Sequence, residues 1–213
     1  MRCKSYGHDQ CNDDVDSHKQ VDAKLVNVHA YVDLGLPSGV KWATCNIGAS
    51  LPEECGNYYA WGEVETKSEY LYEECVTYEK SIDSIDGDER YDVARAYWGE
   101  AWRIPTQQEF QELIDNCTWV WDEQKKCYNV IGKNGNCIIL PATGWFYGES
   151  IKGRGEYGTY WSATSYKSDE RVDLNENIRE EAYYFYCDDS GERFVSWGNR
   201  GVGRAVRPVC DAL

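Results

Sequence analysis

Four side chains near the start of the sequence have the chemistry of a zinc site. Two thiols and two imidazoles fall within a short segment, at Cys3, His8, Cys11 and His18. Thiolate and imidazole are the ligands that zinc prefers, although the spacing C-x4-H-x2-C-x6-H is not that of a standard finger. Two interpretations stay open: a tetrahedral metal site, or a polar N-terminal arm (residues 1–25) whose thiols act as a tether.

An acidic segment in the middle of the chain raises the question of calcium. Residues 83–89 place several carboxylates around Gly87. Oxygen ligands around a glycine are typical of calcium loops, but the spacing does not match an EF-hand. We therefore interpret this segment as a solvated acidic turn.

The histidines and cysteines argue against catalysis. The three histidines, at positions 8, 18 and 29, precede most of the chain, so no Ser–His–Asp set can form in its C-terminal part. The ten cysteines include no CxxC pair, and no acid/base pair stands out by spacing. We expect no enzyme, no cofactor and no metal in the main domain, with most thiols reduced and packed as small apolar groups.

Residues 158–204 are the strongest candidates for ligand binding. They are dense in Tyr, Trp, Ser, Asn and Arg, which combine rigid contact area with adaptable hydrogen bonds. Ordinary strands and loops have a similar composition, so a purely structural role for these residues stays open. Alternation along strands selects the following ligand contacts: Tyr160, Ser162, Thr164, Tyr166, Tyr184, Tyr186, Trp197, Asn199, Arg200, Val202 and Arg204. A shift of one residue in AYYFYC would exchange its two tyrosines for Tyr183 and Phe185.

The elements that must position these residues are mostly strands. The segments VHAYVDLGL and VKWATCNIG predict an opening hairpin, and TWVW, CYNVI and NCIIL predict three further strands. AYYFYC and RFVSW flank the turn at residues 188–191, and a polar loop precedes them. Two helices are expected, a short one over 92–98 and a second one opened by a capping box of Thr106 and Glu109.

Composition limits the classes of partner. The net charge is −15, which argues against nucleic acid and anionic membranes. No apolar run approaches the roughly 20 residues of a membrane span. The first residues lack the apolar segment of a secretory signal, so we expect a protein that stays inside the cell or joins a virion or surface assembly.

Six blocks then occur in one order: VDLGLPSGVKWATCNIGAS (32–50), YYAWGE (58–63), YDVARAYWGEAWRIPTQQEFQELIDNCTW (91–119), ILPATGW (139–145), GTYWSATS (158–165) and NRGVGRAVRPV (199–209). Together they resemble the FISUMP-type major paralogous domain common in gut Bacteroidetes. That family is similar to formylglycine-generating enzymes and to the phage-associated variable proteins of diversity-generating retroelements. The resemblance implies one C-type-lectin-like domain over 26–213, of the α+β class, with a twisted antiparallel sheet, two flanking helices and long loops.

The resemblance also implies where function lies. Retroelement variable proteins carry their variable positions in the C-terminal part, on a rigid scaffold, where they bind ligand. The paired C-terminal cysteines of formylglycine-generating enzymes do not carry over, because Cys187 and Cys210 are far apart in sequence. We therefore expect a non-catalytic protein that recognises a protein or cell-surface ligand. The alternatives are a structural domain of a surface or virion assembly and, third, a formylglycine-generating type of enzyme.

The same blocks predict the interior. Arg103 and Arg207 are expected to hold loop carbonyls or acids, and the first strands are expected to lie near the last. The expected core residues are Trp42, Trp98, Trp102, Phe110, Leu113, Trp161 and Val206.

Overall fold

Short antiparallel strands make up most of the computed structural model, which describes residues 24–26, 29–166 and 181–211. The strands among these residues are β1 (Lys24–Val26), β2 (His29–Val32), β3 (Lys41–Ala43), β4 (Trp102–Arg103), β5 (Thr118–Asp122), β6 (Cys127–Ile131), β7 (Cys137–Pro141), β8 (Trp145–Tyr147), β9 (Ser150–Lys152), β10 (Tyr157–Ser165), β11 (Glu181–Asp188), β12 (Arg193–Asn199) and β13 (Val209–Cys210). The described helices are α1 (Val93–Trp98) and α2 (Gln107–Asn116).

The expected α+β class is wrong, because the described part of the chain is a β-rich fold. The two predicted helices exist, but α1 has six residues and α2 has ten, too few to form a helical layer flanking a sheet. Helix α1 begins directly after its N-cap Asp92 and ends at Gly99. Helix α2 is followed at once by β5, whose alternating β-branched and aromatic side chains favour a strand.

The strands form four small sheets. The orders are β1-β2-β3-β13-β4, β10-β11-β12, β5-β6-β7 and β8-β9, and every pair of neighbouring strands is antiparallel. The predicted hairpins β2–β3, β6–β7 and β11–β12 are confirmed. The last strand β13 lies between β3 and β4, so the end of the domain closes its first sheet.

Arg207 fixes this closure from within the core. Its fully buried guanidinium donates to Oδ1 of Asn46 at 2.7 Å and to the backbone oxygens of Ala43 (2.9 Å), Thr44 (2.6 Å) and Ile139 (2.8 Å). A buried oxygen that loses its donor costs free energy, so these contacts stabilise the closure. The structural role predicted for this arginine is therefore confirmed.

Arg103 has an equivalent role at the start of α2. It donates to both carboxylate oxygens of Glu109, at 2.6 and 2.8 Å, and to Asp211 at 2.7 Å. Glu109 also completes the predicted capping box with Thr106. One cluster of charges thus joins the helix start to the residue after β13.

The interior consists of two main apolar clusters, and β10 lies between them. Tyr160 and Phe185 belong to the cluster that packs on α2, whereas Trp161 and Ala182 belong to the cluster beneath α1. Successive residues of a strand point to opposite faces, so β10 is buried on both sides. The expected core residues are buried, except that Trp98 is half-buried and stacks on His29 at 3.9 Å.

Two expectations lie outside the described residues. These are the possible zinc ligands Cys3, His8, Cys11 and His18, and the polar loop over 167–180. Within the described ranges, neither helix has the length and apolar character needed to cross a bilayer.

Candidate ligand-binding surface

The two faces of strand β11 have different surroundings. Phe185 is fully buried and stacks on Phe110, with ring centroids 5.2 Å apart and planes 8° apart. Tyr184 and Tyr186 alternate with it and therefore point to the other face, where both are partly exposed. The assignment of these two tyrosines to one face, rather than Tyr183 and Phe185, follows from the depth of Phe185 in the core.

Seven aromatic side chains meet on that second face, which we call the aromatic face. They are Tyr72, Trp145, Tyr147, Tyr157, Tyr184, Tyr186 and Phe194. Tyr186 and Phe194 are paired across β11 and β12 and stack at 4.8 Å, and Tyr157 stacks on Tyr186 at 5.6 Å. All seven keep part of their surface exposed, so the face is an aromatic patch and not core.

Strand β8 and Tyr72, from the connection between β3 and α1, extend the patch. Trp145 donates from Nε1 to the hydroxyl of Tyr157 at 2.9 Å. Tyr147 packs on Trp145 at 5.9 Å between ring centroids and on Tyr72 at 4.7 Å. Three separate segments of the chain therefore contribute to one continuous surface.

Arg204 lies beneath the aromatic face. Only 6% of this residue is exposed, and its guanidinium carbon lies 3.6 Å from the ring centroid of Tyr184 and 4.9 Å from that of Trp161. Such cation–π contacts stabilise a desolvated arginine by about 2 kcal/mol. Tyr157 and Tyr72 are also near enough to influence its charge electrostatically.

The hydrogen-bond donors of this guanidinium are only partly used within the described residues, where the Tyr184 side chain is a partner. Its Nε is fully enclosed and has no hydrogen-bond partner, and no described carboxylate forms an ion pair with it. Burial lowers the pKa of Arg204 to about 10, so the side chain is still charged at neutral pH. A buried cation without an anion is costly and calls for an explanation.

Arg200 provides the contrast. It is equally buried and stacks on Trp61 at 4.3 Å, but it donates to Oγ of Ser165 at 2.5 Å and to the backbone oxygens of Lys80 (3.0 Å) and Ile82 (3.3 Å). Its role is to hold the loop before α1 against the sheet. Of the buried arginines 200, 204 and 207, therefore, the first and the last have full sets of acceptors.

Gly198 keeps the space beside Arg204 open. A Cβ atom at this position would lie 3.2 Å from Nη2 of Arg204 and 3.3 Å from Cε1 of Tyr184. Glycine weakens a strand interior and often marks a close approach of another group. Here that group is the guanidinium.

The structure separates the residues predicted to bind ligand. Tyr184, Tyr186 and Arg204 belong to the aromatic face. Tyr166 and Trp197 lie on the opposite side, where their rings stack at 4.6 Å and Trp197 is 48% exposed. Whether these five residues bind a ligand stays a prediction.

The other predicted contacts support the fold. Tyr160, Ser162, Arg200 and Val202 are buried. Tyr160 donates its hydroxyl proton to Pro141 O at 2.5 Å, and Thr164 accepts from the Gln107 amide at 3.2 Å. Asn199 accepts from the Gly201 amide at 2.8 Å and so shapes the turn after β12.

Sequence reasoning missed part of the aromatic face. Tyr72, Trp145 and Tyr147 lie far from 158–204 in sequence, and no local pattern links them to it. Phe194 and Tyr157 could have been found, because the turn at 188–191 sets the register that pairs Phe194 with Tyr186.

No family model, no curated protein and no solved structure matches this chain. Within the described ranges, no group of three or more His, Cys, Asp or Glu side chains could hold a metal ion. Burial raises the pKa of Cys187 to about 12 and that of Cys210 to about 11, and both are free thiols. Protonated thiols are poor nucleophiles.

A shallow depression of about 430 Å³ lies elsewhere, between α2 and the β11–β12 turn. It is lined by Ile114, Gly191, Glu192, Arg193 and Phe194. Phe194 is its one residue in common with the aromatic face. The depression lacks the concentration of aromatic and cationic groups found around Arg204.

Proposed function

We propose that this protein is a non-catalytic recognition module whose aromatic face binds a protein or cell-surface ligand. One observation supports the proposal most directly: seven partly exposed aromatic side chains from three chain segments converge above the unpaired Arg204. Aromatic side chains and arginine dominate the energetics of recognition surfaces, because they bury much area at low entropic cost.

The rigidity of the support also favours recognition. Tyr184 and Tyr186 are held on a strand between two others, with Phe185 anchored in the core beneath them. A contact surface on a rigid sheet loses little conformational entropy when a ligand binds.

The proposal is tested by measuring binding of the labelled full chain to a panel of bacterial cells and purified surface proteins by flow cytometry. Tyr72→Ser removes an aromatic side chain that is 44% exposed on the aromatic face. Tyr97→Ser is the matched control, because Tyr97 lies on α1 and is 54% exposed. We expect the first variant, not the second, to weaken binding by about tenfold, the cost of losing one hot-spot aromatic. Equal binding by both variants would refute the proposal, as would self-association of the chain with no binding to any panel member.

We further propose that the chain is a variable protein of a diversity-generating retroelement. The family resemblance supports this proposal, and the aromatic face specifies the positions at which variation is expected. Sequencing the locus across isolates should find substitutions concentrated at the exposed positions of β10–β12, such as Tyr157, Tyr184, Tyr186 and Phe194. Substitutions spread evenly over the chain, or a locus without a reverse transcriptase, would contradict it.

A further inference from the structure

The surroundings of Arg204 have the properties of an anion site. We propose that Arg204 binds an oxyanion of the ligand (a carboxylate, sulfate or phosphate group), so that the aromatic face selects acidic ligands. This inference rests on the proposed recognition function and specifies the chemistry of its ligand.

Arg204 lacks the set of oxygen acceptors that the two other buried arginines have. Arg200 and Arg207 are also buried, and each has at least three oxygen acceptors within 3.4 Å. Arg204 differs, because its Nε is enclosed without a hydrogen-bond partner and the phenol of Tyr184 is the side chain that interacts with the rest of its guanidinium as a hydrogen-bond partner. A planar guanidinium matches the two oxygens of a carboxylate or phosphate, so an arriving oxyanion would satisfy the donors that the fold leaves unused.

Tyrosine hydroxyls near Arg204 supply further hydrogen-bond donors. The hydroxyl of Tyr157 accepts a hydrogen bond from Trp145 Nε1 at 2.9 Å, which leaves the phenol proton available to donate. Tyr184 and Tyr72 also lie within electrostatic reach of Arg204. The guanidinium is thus partly desolvated and has phenols nearby, and charge-assisted hydrogen bonds to an oxyanion are strong in such surroundings.

The carboxylates of the described residues do not compete for Arg204. Asp188 is the acid that pairs with Tyr157 in the β10–β11 register. Its carboxylate accepts from the hydroxyls of Tyr186 (3.1 Å) and Ser190 (2.7 Å) and from turn amides, and it makes no ion pair with Arg204. With a net charge of −15, the chain has many carboxylates, yet none that the structure describes reaches this cation.

The test uses the full chain and three probe anions, acetate, sulfate and phosphate, each titrated against sodium chloride at equal ionic strength. The readout is the Nε–Hε cross-peak of Arg204 in a ¹⁵N-edited NMR spectrum, assigned by its absence in Arg204→Met. We expect this cross-peak to shift with saturation for at least one oxyanion. The probe that binds most tightly distinguishes carboxylate from sulfate or phosphate as the ligand group.

The variants make the test specific. Amide cross-peaks of Tyr184 and Gly198 report binding in variants that lack the arginine. Arg204→Met should weaken oxyanion binding by at least about tenfold, the order of a charge-assisted hydrogen bond. Arg204→Lys should bind with intermediate affinity, because it keeps the positive charge but loses the paired N–H donors of the planar guanidinium. Arg90→Met removes an exposed arginine and should bind as the parent does.

Gly198→Ala is a second variant that leaves the charge unchanged. Its Cβ would crowd Nη2 of Arg204 at 3.2 Å, so oxyanion binding should weaken here as well. The inference is overturned if no oxyanion shifts the Arg204 cross-peak, or if Arg204→Met binds as tightly as the parent. Failure of the recognition function is seen separately: ligand binding lost in Tyr72→Ser but kept in Arg204→Met would refute the oxyanion site alone.

Discussion

The guanidinium carbon of Arg204 lies 3.6 Å from the ring centroid of Tyr184, the closest cation–π contact among the described residues. This contact holds a charged group beneath the aromatic face, and the Nε of that group has no hydrogen-bond partner among the described residues. Arg207, three residues later, differs: its guanidinium donates to four oxygens of the protein, two of them buried and two partly buried. Replacing the two arginines should therefore have different effects on stability.

Arg204→Met should leave stability within about 1 kcal/mol of the parent, or raise it. An apolar side chain of similar volume loses the cation–π contacts but removes the cost of burying an unpaired charge. Urea unfolding at pH 7 measures the free energy of unfolding. A loss of several kcal/mol would mean that the arginine is held there for stability.

Arg207→Met should destabilise the protein by about 3–5 kcal/mol, because four buried or partly buried oxygens lose the guanidinium as their donor. The same urea experiment compares the two variants directly. Arg90→Met, at an exposed position, is the control and should change stability by less than about 0.5 kcal/mol. Similar losses for positions 204 and 207 would contradict the distinction drawn between them.

Stability should fall as the pH rises above 9, in part because of Cys187. Burial raises the pKa of this thiol from 9.0 to about 12, so the folded state keeps a proton that the unfolded state loses. The contribution is fully present below pH 9 and is lost as the pH rises towards 12.

The measurement is urea unfolding in reducing buffer at pH 8, 9 and 10. Cys187→Ala is destabilised at every pH by its cavity. Its free energy of unfolding should fall less steeply with pH than that of the parent, and the two slopes should differ by up to about 1.4 kcal/mol per pH unit. Parallel curves for the parent and the variant would exclude Cys187 as the source of the pH dependence.

Gly201→Ala should destabilise the protein by about 1–3 kcal/mol through overpacking. The added Cβ would lie 2.1 Å from Leu71 O and 2.8 Å from Tyr72 O, so the backbone next to Tyr72 must move. Thermal unfolding measures the loss. Gly198→Ala is the control, because its new Cβ meets side-chain atoms that can shift, and it should cost less. The reverse order would contradict the packing described around residues 71–72.

Thr106→Ala should cost about 1 kcal/mol by removing the N-cap of α2. The Thr106 hydroxyl accepts from the Glu109 amide at 3.2 Å, and no other described group takes its place. Gln108→Ala, an exposed position in the same turn, should have almost no effect in the same urea experiment. An equal loss at both positions would assign the effect to helix propensity rather than to the cap.

Local features of the sequence determined the elements of this protein. The alternation in TWVW, CYNVI and AYYFYC, the turns between them, and the capping box of α2 are all read within a few residues, and the structure confirms them. The buried positions of Trp42, Trp102 and Phe110 also follow from local apolar pattern. Both helices lie where the sequence predicts them, but the expected α+β class is wrong, because two helices of six and ten residues do not form a layer on a sheet.

Tertiary structure alone decided which candidate residues can meet a ligand. Alternation assigns Tyr160 and Ser162 to a strand face, but it cannot show that β10 is covered on both sides by two apolar clusters. Likewise, Arg200, Arg204 and Arg207 are the same residue type within eight positions. What separates them is the set of oxygens that distant segments bring to each guanidinium, and Arg204 is the one whose Nε has no acceptor among the described residues.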